Sequence, residues 1–352
     1  MKSVKKELRR KRTLVLTAAA ALLAGTLGFA KESTLIDFSL LEANTSSSGQ
    51  DQNGETIEIP ENERTLMDYS VAAGATYTGA QKSLMKTSLA LPNWEVVLNS
   101  SAKSVQASAL SQVVEAEVKR GDQPFVGSKV MGVRVLFPSW NNNANAKIVP
   151  PFEIQAYEPL DESGEEYRFE NGYGLIRNVG TIKSIACTTM GMNFPHQLYV
   201  LLKDNDGIER RYFMGSLLFD GWKTLQWNNP NYISEVRTRE IRVYPIYPRG
   251  IPYVKFAGFQ ITRDARDIGD DFIGYFKDVK VIYDLAVLTT DRDIDDEDLW
   301  GIITKKEAER QKVEMDHFGA KQVNRYIERQ KMATEETFTA TLNEDAASNA
   351  GN

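Results

Sequence analysis

The chain has 352 residues, with 42 Lys+Arg against 48 Asp+Glu and a formal charge of −6. Residues 1–30 hold seven basic residues and one acidic one, so the remainder carries 35 basic and 47 acidic residues, a balance of −12. A surface that acidic excludes a nucleic-acid binder, which needs Lys and Arg in excess, and two His with one Cys exclude most zinc sites and any disulfide framework.

The first twelve residues, MKSVKKELRRKR, are basic, and an apolar run from Leu14 to Ala30 follows, closing on Gly28-Phe29-Ala30. This is the layout of a secretory signal peptide cleaved before Lys31, and the run is short for a membrane span. The expectation is export to the periplasm, with no membrane span once the signal is removed. Residues 31–89 read as an N-terminal arm. Within it, LIDFSLL (35–41) reads as a separately docking strand, and 42–65 as a polar loop too poor in large apolar groups to offset its ordering entropy. One short helix is expected around 102–113.

From about residue 90 to 285 apolar residues recur with period two. Trp94, Val96 and Leu98 share one face, as do Val133, Val135 and Phe137, and Leu198, Val200 and Leu202. Roughly ten short strands punctuated by Gly, Pro and Asn clusters predict an all-β fold over 90–288. The simplest form is an antiparallel β-sandwich of jelly-roll type. Cys187, in SIACTTM, reads as a small core hydrophobe. Asp204-Asn205-Asp206-Gly207 reads as a hairpin turn, because a calcium loop would need a Glu where residue 215 is Gly. Residues 289–333 read as an acidic linker and a charged C-terminal helix, and 334–352 as a polar tail.

The chain offers little chemistry. His196 follows Phe194-Pro195 at the mouth of a strand. There is no G-x-S-x-G, Walker or Rossmann motif, and carboxylates are too numerous for any pair to stand out. No catalytic, cofactor or metal residue is assigned. The aromatic clusters FDGWKTLQWNNPNYI (219–233) and YPIYPRGIPY (244–253) are more suggestive of recognition, although such rings also fill sandwich cores. The candidate interface residues are Trp140, His196, Trp222, Trp227 and Tyr247.

The segments LPNWEVVLNSSA (91–102), VMGVRVLFPSW (130–140), HQLYVLLKDNDGIERRYFMGSLLFDGWKTLQWNNPNYI (196–233) and YPIYPRGIPYVKFAGFQITRD (244–264) carry a family resemblance. With PPFEIQAY (150–157) and TLIDFS (34–39) they resemble the FlaA family of spirochaete flagellar filament outer layer proteins. The resemblance implies a sheath subunit that coats the flagellin core of flagella rotating in the periplasm. Its implied partners are the core filament, other sheath subunits and a flagellin-linked glycan. It also implies a central domain like the galactose- or carbohydrate-binding jelly rolls, and it brings no catalytic motif. The competing readings are a free periplasmic carbohydrate-binding module and a glycan-active hydrolase on the same sandwich.

Overall fold

The computed structural model describes residues 30–320 apart from 51–53, 64, 69–77, 84, 120–123, 140–142, 155–173, 234–240, 245, 249–251, 289–292, 307, 311, 314–315 and 318. The expected leader, apart from Ala30, and the expected polar tail lie outside the described residues. No described helix is long and apolar enough to cross a membrane.

Two sheets face each other. The first has the order β14 (Asp220–Asn228), β11 (Val179–Met192), β17 (Asp270–Leu288), β8 (Lys129–Phe137), β7 (Gln112–Glu117). The second has the order β13 (Glu209–Ser216), β12 (Gln197–Asp204), β16 (Tyr253–Thr262), β9 (Asn145–Val149), β6 (Glu95–Leu98), with β10 (Leu175–Arg177) also on β16. The predicted antiparallel sandwich is therefore present. Its strands are longer than expected, 14 residues for β11 and 19 for β17. The central strand β17 pairs along one side first with β8 (Asp270↔Phe137 to Phe276↔Met131) and then with β1 (Lys31–Asp37; Asp278↔Asp37 to Tyr283↔Lys31). Its other side carries β11, and β15 (Ile241–Val243) adds a parallel pairing at its C-terminal end.

The core fills the gap between the sheets, as period-two alternation requires. Val133, Val135 and Phe137 of β8 and Phe272, Phe276, Val279 and Val281 of β17 meet Leu198, Val200, Leu202, Phe256, Phe259 and Ile261 from the other sheet. The Phe259 and Phe276 rings stack across the gap with centroids 4.8 Å apart. A bulge shapes the second sheet where pairing shifts between Leu201 and Leu202 opposite Gly258. Gly258 has φ +128, and a Cβ there would lie 2.1 Å from the Ile148 carbonyl oxygen, so only glycine lets β9 approach.

The N-terminal segment corrects the expectation of an arm. β1 is a paired strand whose Leu35 and Ile36 are fully buried. The single 3-10 turn Phe38–Leu40 that follows drives the Phe38 ring between Trp94, Phe256 and Phe259, at centroid distances of 5.4, 6.4 and 6.0 Å. The polar stretch is likewise not a plain loop. β2 (Thr45–Gln50) and β3 (Thr56–Glu61) form an antiparallel ladder, and the Ser47 hydroxyl donates to the Glu61 carboxylate. A further short pair joins β4 (Met67–Asp68) to β5 (Lys86–Thr87). The helix Val105–Leu110 forms inside the expected window, with Ser104 accepting from the Ala107 N–H as its N-cap.

The β12–β13 turn is as predicted. Asp204 Oδ1 accepts from the N–H groups of Asp206 and Ile208 at 3.1 and 2.9 Å, and Gly207 takes φ +79. The carboxylate is thus used as an Asx-turn acceptor. The acidic run is a helix entry. Asp295 caps the helix Asp296–Trp300, whose first turn is acidic, which suits the positive end of the helix dipole. Residues 302–306 continue as helix after Gly301, and Arg310 donates to the Tyr253 hydroxyl at 3.2 Å.

Candidate functional site

Strand geometry separates the two tryptophans of the 219–233 cluster. They are five residues apart in β14, an odd number, so they point to opposite faces. Trp227 points inward with Leu225 and stacks on Tyr212 of β13 with centroids 4.4 Å apart. The pair plugs the open side of the sandwich between β13 and β14. Trp222 points outward, half-exposed, and meets Phe125 edge-on at 5.1 Å. Phe125 stands in the loop between β7 and β8 at φ +69, left-handed backbone unusual for a non-glycine residue, and Lys277 lies over its ring at 5.3 Å.

The other sequence candidates lie apart. His196 is 1% exposed and so does not present a surface contact, which corrects its place among the interface residues. It stacks on Phe194 and meets Phe137 and Phe272. Its Nε2 faces Asp267 Oδ2 at 3.4 Å, while Nδ1 accepts from the Asp264 N–H at 3.4 Å. Burial lowers its pKa from 6.5 to about 4, against the pull of Asp267, so the ring is neutral. Tyr247 is a tether. Its hydroxyl donates toward the Asp296 carbonyl at 3.3 Å and Glu297 Oε2 at 3.2 Å. Glu297 in turn accepts from the N–H groups of Ile303 and Thr304, and those bonds hold its carboxyl below the ordinary range. Trp140 lies outside the described residues. Cys187 is fully buried between Leu225 and Val279, and desolvation pushes its thiol pKa well up.

Two surface features were not singled out by the sequence reading. The first is the outward side of the β11–β14 ladder. Ile185, Cys187 and Leu225 belong to the core, so the alternate residues face out. In register, Met190 faces Trp222, Thr188 faces Thr224, Ala186 faces Gln226 and Ser184 faces Asn228. None of these eight side chains carries a charge; the fifth outward pair, at the Phe219 end, is Met192 with Asp220. Gln226 donates to Asn228 Oδ1 at 2.8 Å, and both are exposed. At the Asn228 end the Tyr232 hydroxyl donates to Asp284 at 3.0 Å, Lys183 lies over the Tyr232 ring at 5.7 Å, and Ser184 is 1% exposed.

The second feature is an apolar end. Leu285 and Val287 of β17, Tyr244 and Ile246 beyond β15, and Leu299 and Trp300 of the acidic helix are all exposed, the last four by about two-thirds. β15 pairs with β17 beside Val287, and Tyr247 ties the 244–248 segment to the helix, so these side chains gather at one end of the sandwich. Among the described residues no group of three His, Cys, Asp or Glu side chains is placed to hold a metal ion.

Comparison with known proteins identifies the family. Residues 58–292 match the family described as flagellar filament outer layer protein FlaA. A flagellar filament outer layer protein of Treponema pallidum (strain Nichols) is 53% identical, covering 92% of this chain and 95% of that one. One of Spirochaeta aurantia is 42% identical over 97% of this chain and 98% of its own. One of Borreliella burgdorferi is 35% identical over 68% and 70%. Among solved structures, a carbohydrate-binding module of the β-sandwich superfamily covers 67% of this chain and 74% of its own at 11% identity and TM-score 0.28. A family 11 carbohydrate-binding module of a Clostridium thermocellum cellulase covers 57% and 91% at 11% identity and TM-score 0.25. These structural similarities are too slight to carry a functional statement. The near full-length sequence relatives decide the matter: this chain belongs to the flagellar filament outer layer protein family, FlaA.

Proposed function

We propose that the chain is a sheath subunit that coats the flagellin core of a filament housed in the periplasm, after export by a cleaved leader. It works by adhesion to the core and to neighbouring subunits and performs no catalysis. The observation that carries this reading, beside the family, is the apolar end. Exposed large apolar side chains gathered in one place mark contact surfaces on soluble proteins, and an acidic helix rims this one. A layer on a filament needs contacts that do not close on themselves, and many identical weak contacts add through multivalency.

The test is co-sedimentation with flagellar filaments stripped of their outer layer. The chain is expected to pellet with them, and a Leu299→Asp/Trp300→Asp variant with unchanged circular dichroism is expected to stay in solution. Failure of the unaltered chain to pellet overturns the layer reading. Pelleting of the variant removes the apolar end from the contact. The polar, sparsely charged β11–β14 face favours one second reading, a free periplasmic carbohydrate-binding module, which predicts saccharide binding without filament binding.

A further inference from the structure

We propose that the outward β11–β14 ladder is a binding site for a neutral oligosaccharide, with one sugar ring stacked on Trp222. Its use in attaching the subunit to a glycan on the filament rests on the sheath reading; the binding itself does not.

The charge pattern is the first argument. The chain carries a balance of −12 beyond residue 30, yet the eight outward side chains from Ser184↔Asn228 to Met190↔Trp222 are uncharged, and the one charge on this face of the ladder is Asp220 at its Met192 end. An anionic polymer would lose hydration here and meet only the Asp220 carboxylate, and a cationic one would find that single counter-charge at the end of the ladder. The lysines around it are already engaged: Lys280 of β17, in register with Ala186, with Glu32 at 3.4 Å, Lys277 with Asp37 at 3.8 Å and over the Phe125 ring, and Lys183 over Tyr232.

The second argument is the hydrogen-bonding inventory. Hydroxyl and amide groups both donate and accept, so Thr188, Thr224, Gln226 and Asn228 match the mixed capacity of sugar hydroxyls. They stand on two rigid paired strands, so little order has to be created on binding.

The third argument is shape. Trp222 is held from the side by Phe125, whose left-handed backbone brings its ring from the β7–β8 loop to β14. Tyr232, fixed by Asp284, bounds the opposite end. The span from Trp222 to Asn228 is about 20 Å at roughly 3.3 Å per residue, which suits a short chain of sugars rather than one ring. A protein partner would call for a broader apolar centre than Trp222, Met190 and Met192 supply.

The test follows the side-chain indole resonances of 15N-tryptophan-labelled protein during titration. The probes are xylohexaose and cellohexaose as neutral chains, with hexagalacturonate as an anionic and a chitosan hexamer as a cationic control. Saturable shifts of the Trp222 resonance with at least one neutral hexaose, and none with the charged ones, are expected. Trp222→Ala and, separately, Thr224→Lys/Gln226→Lys should weaken binding by about tenfold or more with the fold retained by circular dichroism. The lysine pair sits at exposed positions, which keeps the test open if Trp222→Ala fails to fold. Absence of saturable binding by either neutral hexaose, equal binding of the charged hexamers, or undiminished binding by both variants overturns the proposal. A second arm sediments the protein with stripped filaments before and after periodate oxidation of vicinal diols. Binding of hexaoses with no sedimentation on either filament leaves the site standing and overturns the sheath reading. Sedimentation lost in Trp222→Ala without any saccharide binding makes the face a protein contact and overturns the site.

Discussion

Acidification should weaken the sandwich through His196, and the size of the effect follows from its surroundings. The imidazole is enclosed by Phe137, Phe194 and Phe272, and its folded pKa is about 4 against 6.5 for the free side chain. A depressed folded pKa means that the unfolded chain binds the proton first as pH falls. Stability is therefore fully present above about pH 6.5 and drains away down to about pH 4. At about 1.4 kcal/mol per pH unit the loss is about 2 kcal/mol by pH 5 and about 3 kcal/mol by pH 4. Carboxylates with lowered pKa values, Asp264 and Asp271 among them, also lose stability in acid, so the histidine has to be isolated by difference. Gln at position 196 can still donate toward Asp267 and accept from the Asp264 N–H, but it does not titrate. Urea unfolding of both proteins at pH 7.5, 6, 5 and 4 gives the comparison. The free-energy gap between them should shift against the unaltered protein by about 3 kcal/mol across that range. A gap that stays constant with pH refutes the reasoning.

Other perturbations address other parts of the fold. Gly258→Ala should cost more than about 3 kcal/mol or prevent folding, because the new methyl meets the Ile148 carbonyl and the backbone sits at φ +128; an unchanged Tm defeats this account of the bulge. Ile36→Ala should cost about 2–5 kcal/mol in urea unfolding, as for a core site, whereas a detachable arm would show almost nothing. Cys187 should ignore a thiol reagent at neutral pH in the folded protein and react at once in urea, so rapid labelling of the native protein would contradict its placement.

The sandwich was legible because half-buried strands write period two into the sequence, and the Asp204–Gly207 turn because its residue types suit that backbone. The separation of Trp222 from Trp227 was equally readable, since an odd spacing in a strand puts two side chains on opposite faces. The uncharged stretch of the ladder could have been found in the same way, from alternate residues of SIACTTM and GWKTLQWNN. Three things were hidden. β1 looked detachable because its partner β17 lies some 240 residues further on, across a polar stretch. The β2–β3 ladder was hidden because β2, TSSSGQ, has no large apolar residue to mark a face, and β3, TIEIPE, sets its two isoleucines beside Pro60 and two glutamates. His196 reads as a loop residue because the rings that enclose it, Phe137 and Phe272, come from distant strands.

β17 has one more consequence. The axis of the first sheet is also the final strand of the sandwich to leave the ribosome, and β1, β8, β11 and β15 all wait for it. Contacts between segments so far apart along the chain make closure slow. Nascent chains shorter than about 290 residues hold the flanks of the sheet without its spine. Synthesis that stops early should yield material for proteases rather than a smaller working tile.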